Sequence, residues 1–126
     1  MAYEIPGFSF TLPAAADLSA TQFRFVNVDG SGKAAVPAAG GRVCGVRNNK
    51  PKANEAATIV NSGISIVEAG GAITVGDDVA TDNAGRAVAA AGATTIVAGI
   101  ALETASGAGI KIAVLLAGGT KSVVGA

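Results

Sequence analysis

Along most of the chain apolar side chains recur at every second position in short runs, and each run is closed by Gly, Asp, Asn or Ser. A period of two places alternate side chains on opposite faces of an extended strand, so the pattern reads as half-buried strands joined by turns. The expected strands cover residues 21–28, 33–37, 42–47, 56–61, 64–68, 77–81, 86–90, 95–103 and 109–116. Turn signals separate them: Asp29-Gly30-Ser31-Gly32, residues 38–41, Ser62-Gly63, Gly70-Gly71, Asp82-Asn83-Ala84-Gly85, Gly92 and Ser106-Gly107. In the last strand Ile110, Ile112 and Val114 share one face, which Leu116 continues as the buried side, while Lys111 and Ala113 take the other. Short strands at this spacing predict an all-β fold, a small β-barrel or sandwich.

The N-terminal stretch differs from the rest. Tyr3, Phe8, Phe10, Phe23 and Phe25 are the chain's only aromatics and all precede residue 26. Phe8 and Phe10 are two apart, as are Phe23 and Phe25, so each pair lies on one strand face. Two readings follow. Either the two pairs meet in an aromatic core, or residues 1–12 form an arm whose Tyr3, Ile5, Phe8 and Phe10 dock on a partner. Pro6-Gly7 interrupts regular pairing and Pro13 stops the strand, which favours an extended arm over residues 1–15 and a β domain over 16–126. Asp17 could cap a single helical turn in the connector between them.

Composition sharpens this reading. Among 126 residues there are 18 Gly and no Trp, and most of the apolar half is Ala, Val and Ile. β-Branched side chains lose freedom in helices and frequent Gly interrupts them, so helix is disfavoured. Small side chains remove little apolar area from water at about 25 cal/mol per Å², and assembly into an oligomer is the natural remedy. Nine basic and nine acidic residues cancel, which gives no global attraction to nucleic acid or an anionic membrane. The start, Met1-Ala2-Tyr3-Glu4, lacks the basic and apolar regions of a signal peptide. The uncharged stretch 87–102 is shorter than the ~18–20 residues of a spanning helix. Cys44 has no partner for a disulfide and reads as a small buried hydrophobe.

Candidate chemistry is sparse. With no His and one Cys, a Ser-His-acid triad and a cysteine zinc cluster are excluded. Asp77, Asp78 and Asp82 are the densest acids, but neighbours in a strand face opposite ways and cannot share a substrate. Residues 78–85 are too short and wrongly spaced for an EF-hand loop. Gly30-Ser31-Gly32-Lys33 resembles a phosphate loop, yet Asn27 stands at its required first Gly and Ala34 at its Ser or Thr. Arg42, Arg47, Lys50 and Lys52 form a basic stretch free of acids and aromatics, which argues against nucleic acid. Charge of one sign followed by the acids of 55–82 fits complementary contact patches, and Arg47, Lys50 and Lys52 are candidate partner contacts. No cofactor or metal is expected.

Ala16-Asp17-Leu18-Ser19-Ala20, Gln22-Phe23, Phe25-Val26, Asp29 and Gly32-Lys33 resemble the opening of the tailed-bacteriophage capsid cement, or decoration, family. Gly45-Val46, Asn48, Pro51 and Glu55-Ala56-Ala57-Thr58 continue the likeness. Ala69-Gly70-Gly71-Ala72-Ile73, Gly76-Asp77, Val79, Asp82 and Gly85-Arg86-Ala87-Val88 carry it most strongly. Gly99-Ile100-Ala101-Leu102-Glu103, Ala105, Gly109, Ile112 and Val114-Leu115-Leu116 complete it, so that it spans residues 16–116. Arg47 and Asn49 depart from the residues the family pattern leads one to expect. The resemblance implies a structural virion protein without catalytic residues, set on the outer surface of the phage head and stabilising the major capsid protein lattice. It also implies a homo-oligomer. A trimer is preferred because capsid lattices offer three-fold sites, with a dimer as the alternative. Another virion β module of tail or baseplate, or a bacterial surface domain, is the competing assignment.

Overall fold

The computed structural model describes residues 2–92 and 95–117; Met1 of the expected arm and residues 118–126 of the expected domain lie outside the described residues. The strands are β1 (Ile5–Pro6), β2 (Ser9–Pro13), β3 (Arg24–Val28), β4 (Ala34–Ala35), β5 (Gly45–Arg47), β6 (Ala56–Val60), β7 (Gly63–Glu68), β8 (Asp78–Thr81), β9 (Ala87–Ala89), β10 (Gly99–Ala101) and β11 (Lys111–Leu116). No helix occurs among the described residues, and the fold is all-β. All strand pairs are antiparallel and build two curled sheets, one ordered β1-β7-β11-β10-β8-β9 and the other β2-β6-β5-β3-β4.

Each expected strand is present, usually shortened at an end that bends into a turn. Thr21 to Phe23 stay out of β3 because Phe23 takes a left-handed φ of 64°. The connector around Asp17 is a turn instead of a helical one, with the Asp17 carboxylate accepting from Ser19 N–H at 3.0 Å and Ser19 Oγ at 2.6 Å. In β11, Ile112 and Val114 are buried, and Ala113 on the other face is buried as well. Ile110 is 43% exposed because the strand begins one residue after it.

The N-terminal stretch takes a form that the pattern did not predict. β1 pairs with β7 (Ile5 opposite Ile64, Pro6 opposite Gly63) and β2 pairs with β6 (Ser9 opposite Val60 through Pro13 opposite Ala56). Between them Gly7 N–H donates to Ser62 O at 2.9 Å and Asn61 N–H donates to Phe8 O at 2.8 Å. The register never slips, so residues 5–13 and 56–64 form one ribbon that leaves one sheet and enters the other. The segment therefore lies along the domain as an edge of both sheets and does not stand away as a free arm. Pro6 sits where a proline is tolerated, at an edge whose N–H would face away from the sheet.

The ribbon bends at Gly63, whose φ is +86° and whose added Cβ would lie 2.4 Å from Ile5 O and 2.5 Å from Gly7 N. Only glycine fits a left-handed site so close to backbone. The bend also changes which side chains point inward. β6 sets Val60 beside Val46 of the core, whereas β7 buries Ser65 and Val67, and an even position cannot give way to odd ones in an unbroken strand.

Two cores result. The first lies between the sheets and joins Phe25 and Val46 to Val67, Val79, Ile112 and Val114, with small Ala69, Ala87, Ala101 and Ala105 around them. The second backs the other face of β3 and β6, where Val26, Ala34, Ala57 and Ile59 are covered by Phe10, Leu12 and Cys44. The aromatic pairs do not meet, because β6 and β5 stand between β2 and β3. Phe25 belongs to the first core and Phe10 to the second.

Two predictions follow from the ribbon. Gly63→Ala should destabilise the fold by roughly 2 kcal/mol, from left-handed strain and the clash with Ile5, read as a lowered Tm and as early hydrogen exchange in residues 5–8. Deleting residues 1–12 should lower Tm well beyond the effect of losing a solvated tail, because it removes Phe10 and Leu12 from the second core; an unchanged melting curve would show that the edge is dispensable.

Candidate interaction surface

Arg47, a surface candidate by sequence, is 1% exposed and its side chain is the largest fully buried one. β5 carries it into the space behind residues 18–23. Nη1 donates to Leu18 O and Asn49 O at 2.9 Å each, and Nη2 donates to Thr21 O and, at 2.7 Å, to Thr21 Oγ1. Nε–H is buried with no acceptor among the described residues. Burial pushes the guanidinium down to about 10, and the nearby Arg24 charge adds to the shift. Arg47 thus fastens the 18–23 connector and the 48–49 loop to the sheet from inside and presents nothing to a partner. Arg24 instead pairs with Glu68 of the other sheet at 3.2 Å.

The remaining candidates are outside. Lys50 and Lys52 are exposed on the β5–β6 loop, which Asn49 anchors by accepting from Thr58 N–H and donating to Ala56 O. Tyr3 is 43% exposed and Phe8 is 60% exposed. Phe8 stacks on Phe10 with centroids 6.0 Å apart, so the inner ring is part of the second core and the outer ring stands at its rim. A ring stacked on a half-buried neighbour gives a partner apolar area with little ordering entropy to lose.

Ile5 belongs to a different face. Directly opposed residues in an antiparallel pair share a face, and the registers run Ile5 to Ile64, Ile64 to Leu115, Leu115 to Ile100 and Ile100 to Asp78. Four aliphatic side chains therefore line up across β1, β7, β11 and β10 on the outer side of their sheet and end at an exposed carboxylate. Ile5, Leu115 and Ile100 are exposed and Ile64 is half-buried. Sequence reasoning named Ile5 and missed the others. The signals were present: Leu115-Leu116 must put one leucine on each face, and Ile100 projects between small Gly99 and Ala101.

The acids do not assemble into a site. Asp82 accepts from Ala84 N–H and Arg86 N–H and pairs with Arg86 Nε at 3.0 Å, which shapes the β8–β9 turn. Asp77 caps Thr74 N–H, and Asp78 is exposed at the end of the aliphatic row. Asp29 accepts from Ser31 N–H and Lys33 N–H, and these bonds hold its carboxyl below the usual range. The phosphate-loop-like turn is thus closed on its own aspartate. Among the described residues no group of three or more His, Cys, Asp or Glu could hold a metal. Cys44 is half-buried, with its thiol pushed up by burial.

Asp29, Asp77 and Asp82 thus serve the turns of this two-sheet β domain, while apolar side chains are left outside where a partner can meet them. The phage cement protein family matches residues 6–116. The chain belongs to that family. It is accordingly a structural protein of the phage head. Its fold is shared with the N base of the head fiber gp8.5 of bacteriophage phi29, with a TM-score of 0.72 at 21% identity over 91% of this chain and 98% of that one. No curated protein matches the chain. The cement-family match begins within β1, so the docked N-terminal edge lies inside the family's own domain.

Arg47→Ala should remove three hydrogen-bonded anchors of the cement protein and take from the Thr21 and Asn49 carbonyls the guanidinium donor that each holds. A loss on the order of 3 kcal/mol is expected, read as a lower urea midpoint at unchanged slope. Lys50→Ala and Lys52→Ala should leave that midpoint within about 0.5 kcal/mol of the parent.

Proposed function

We propose that this cement protein binds the outer surface of the phage head, contacts the major capsid protein and stabilises the capsid lattice as a homo-oligomer, a trimer by preference. The observation that carries the reading is the family match over residues 6–116. A subunit that bridges neighbouring capsomers and fits the expanded spacing better than the immature one stabilises the expanded state by linkage. Each copy need contribute little, since many act together. No catalytic group takes part, and neither nucleic acid nor membrane is a partner.

On this reading Phe8, fixed on Phe10, and Tyr3 are the apolar contacts with the capsid protein, and Lys50 and Lys52 meet acidic capsid side chains to set register. Burying an exposed ring contributes on the order of 1.5–3 kcal/mol.

The test is binding to heads that lack the protein. Purified chain should co-sediment with expanded heads in preference to immature ones and raise the temperature at which heads release DNA. Phe8→Ala should weaken binding by about 10-fold or more. Raised salt should weaken it further through the lysines. Equal binding to both head forms, or none to either, would overturn the reading.

A further inference from the structure

We infer that the open edge of β2 is a strand-addition site, which receives an extended segment of the capsid protein as a further strand of the β2-β6-β5-β3-β4 sheet. The inference rests on the cement-protein reading and deepens it by naming the backbone groups that meet the partner and the conformation the partner takes.

Register decides which groups of β2 are free. Asn61 N–H donates to Phe8 O and Ala14 N–H donates to Glu55 O, at 2.8 Å each. Hydrogen-bonded pairs in an antiparallel ladder recur at every second residue, so Phe10 and Leu12 bond to β6 while Ser9 and Thr11 turn N–H and C=O outward. Ser9 and Thr11 are exposed, and no other described strand lies beside them. The remaining sheet edges are protected. At β4 Ala15 N–H donates to Ala34 O at 2.8 Å, and at β9 Gly70 N–H donates to Ala87 O at 2.7 Å. β1 turns Pro6 outward, which has no N–H to offer. By contrast β2 runs for five residues in unbroken register, residues 5–16 carry no charge, and Pro13 merely ends the strand. Edges are ordinarily blunted by charge, proline or a bulge, because a bare one is a template for a strand of another chain.

Chemistry selects the occupant. Donors and acceptors presented at every second residue match a peptide backbone in the extended conformation. Directly opposed residues share a face, so an added strand sets alternate side chains beside half-buried Phe10 and Leu12, which cover the second core. Those side chains must be apolar to extend that cover. Phe8, 60% exposed and stacked on Phe10, continues the same face into the contact proposed above for the capsid protein. A second copy has no other strand to give among the described residues, since β1, β4 and β9 are closed as edges. Pairing β2 with its own copy would be a two-fold contact, which a three-fold oligomer lacks.

The experiment is head binding of the full-length chain as wild type, Ser9→Pro and Thr11→Pro, with folding of each checked by far-ultraviolet dichroism, and hydrogen exchange of the wild type free and on heads. Either proline deletes an outward N–H and blocks the edge while sparing the bonds to β6. Each should weaken binding to expanded heads about 10-fold or more. In the wild type the Ser9 and Thr11 amides should exchange fast in the free chain and become protected on heads, whereas those of Phe10 and Leu12 are protected in both states. That exchange pattern carries the test if the proline variants do not fold. Folded proline variants that bind heads as wild type does, or Ser9 and Thr11 amides that stay unprotected on heads, would overturn the inference and leave the cement role standing. Protection of both amides in a free dimer would give the edge to a second copy and likewise overturn it. Wild type that ignores heads would reject the cement role and the inference with it.

Discussion

The structure depends on one continuous antiparallel ribbon, residues 5–13 against 56–64, that passes from one sheet to the other. The core between the two sheets is mostly Ala and Val around Phe25, Ile73 and Ile112, which bury modest apolar area per residue. Main-chain hydrogen bonds that run unbroken through the corner add to that packing. The bend that makes this possible needs a left-handed residue in contact with backbone, and Gly63 is that residue. Because the bend reverses which side chains face inward, it also decides that Ile64 and Ile5 look outward.

Arg47 solves a related problem on the opposite side. The connector 14–23 crosses the back of the sheet, where the Thr21 carbonyl takes its donor from another segment. One guanidinium donates to the carbonyls of Leu18 and Thr21 in the connector and of Asn49 in the β5–β6 loop. The arrangement depresses the arginine's proton affinity and leaves Nε unsatisfied. Burying a charge is costly unless nearly every donor is used. Here four hydrogen bonds offset that cost, and the departure from the family pattern at this position is the residue that ties the connector down.

Function follows from what these devices leave outside. Polar groups that might have formed a reactive site are committed to turns: Asp29, Asp77 and Asp82 each satisfy backbone N–H groups of their own loop. What projects is apolar and held by a rigid support, Phe8 on Phe10 at one rim and four aliphatic residues across one sheet. A surface that is pre-ordered in this way binds without losing much freedom, which suits a structural protein of the phage head.

The sequence by itself determined the fold class and the strands from β3 onward. Period-two alternation and glycine turns are local properties, fixed by the steric demands of a few consecutive residues, and Ile64 to Glu68 or Lys111 to Leu116 could be read from them directly. Family membership was also legible, since the order and spacing of turns survive in the chain itself. Only the tertiary structure decided which strands are neighbours. The aromatic pairs looked as though they belonged together, but the sheet order put β6 and β5 between them. The N-terminal stretch looked free because Pro6, Gly7 and Pro13 break local pattern, yet an edge strand tolerates them and its partners are more than forty residues away. Arg47 looked like surface charge, because charge is local, while burial depends on what the rest of the chain lays over it. Ile64, Ile100 and Leu115 are scattered in sequence and become one row solely through register, a relation between strands that no single strand contains.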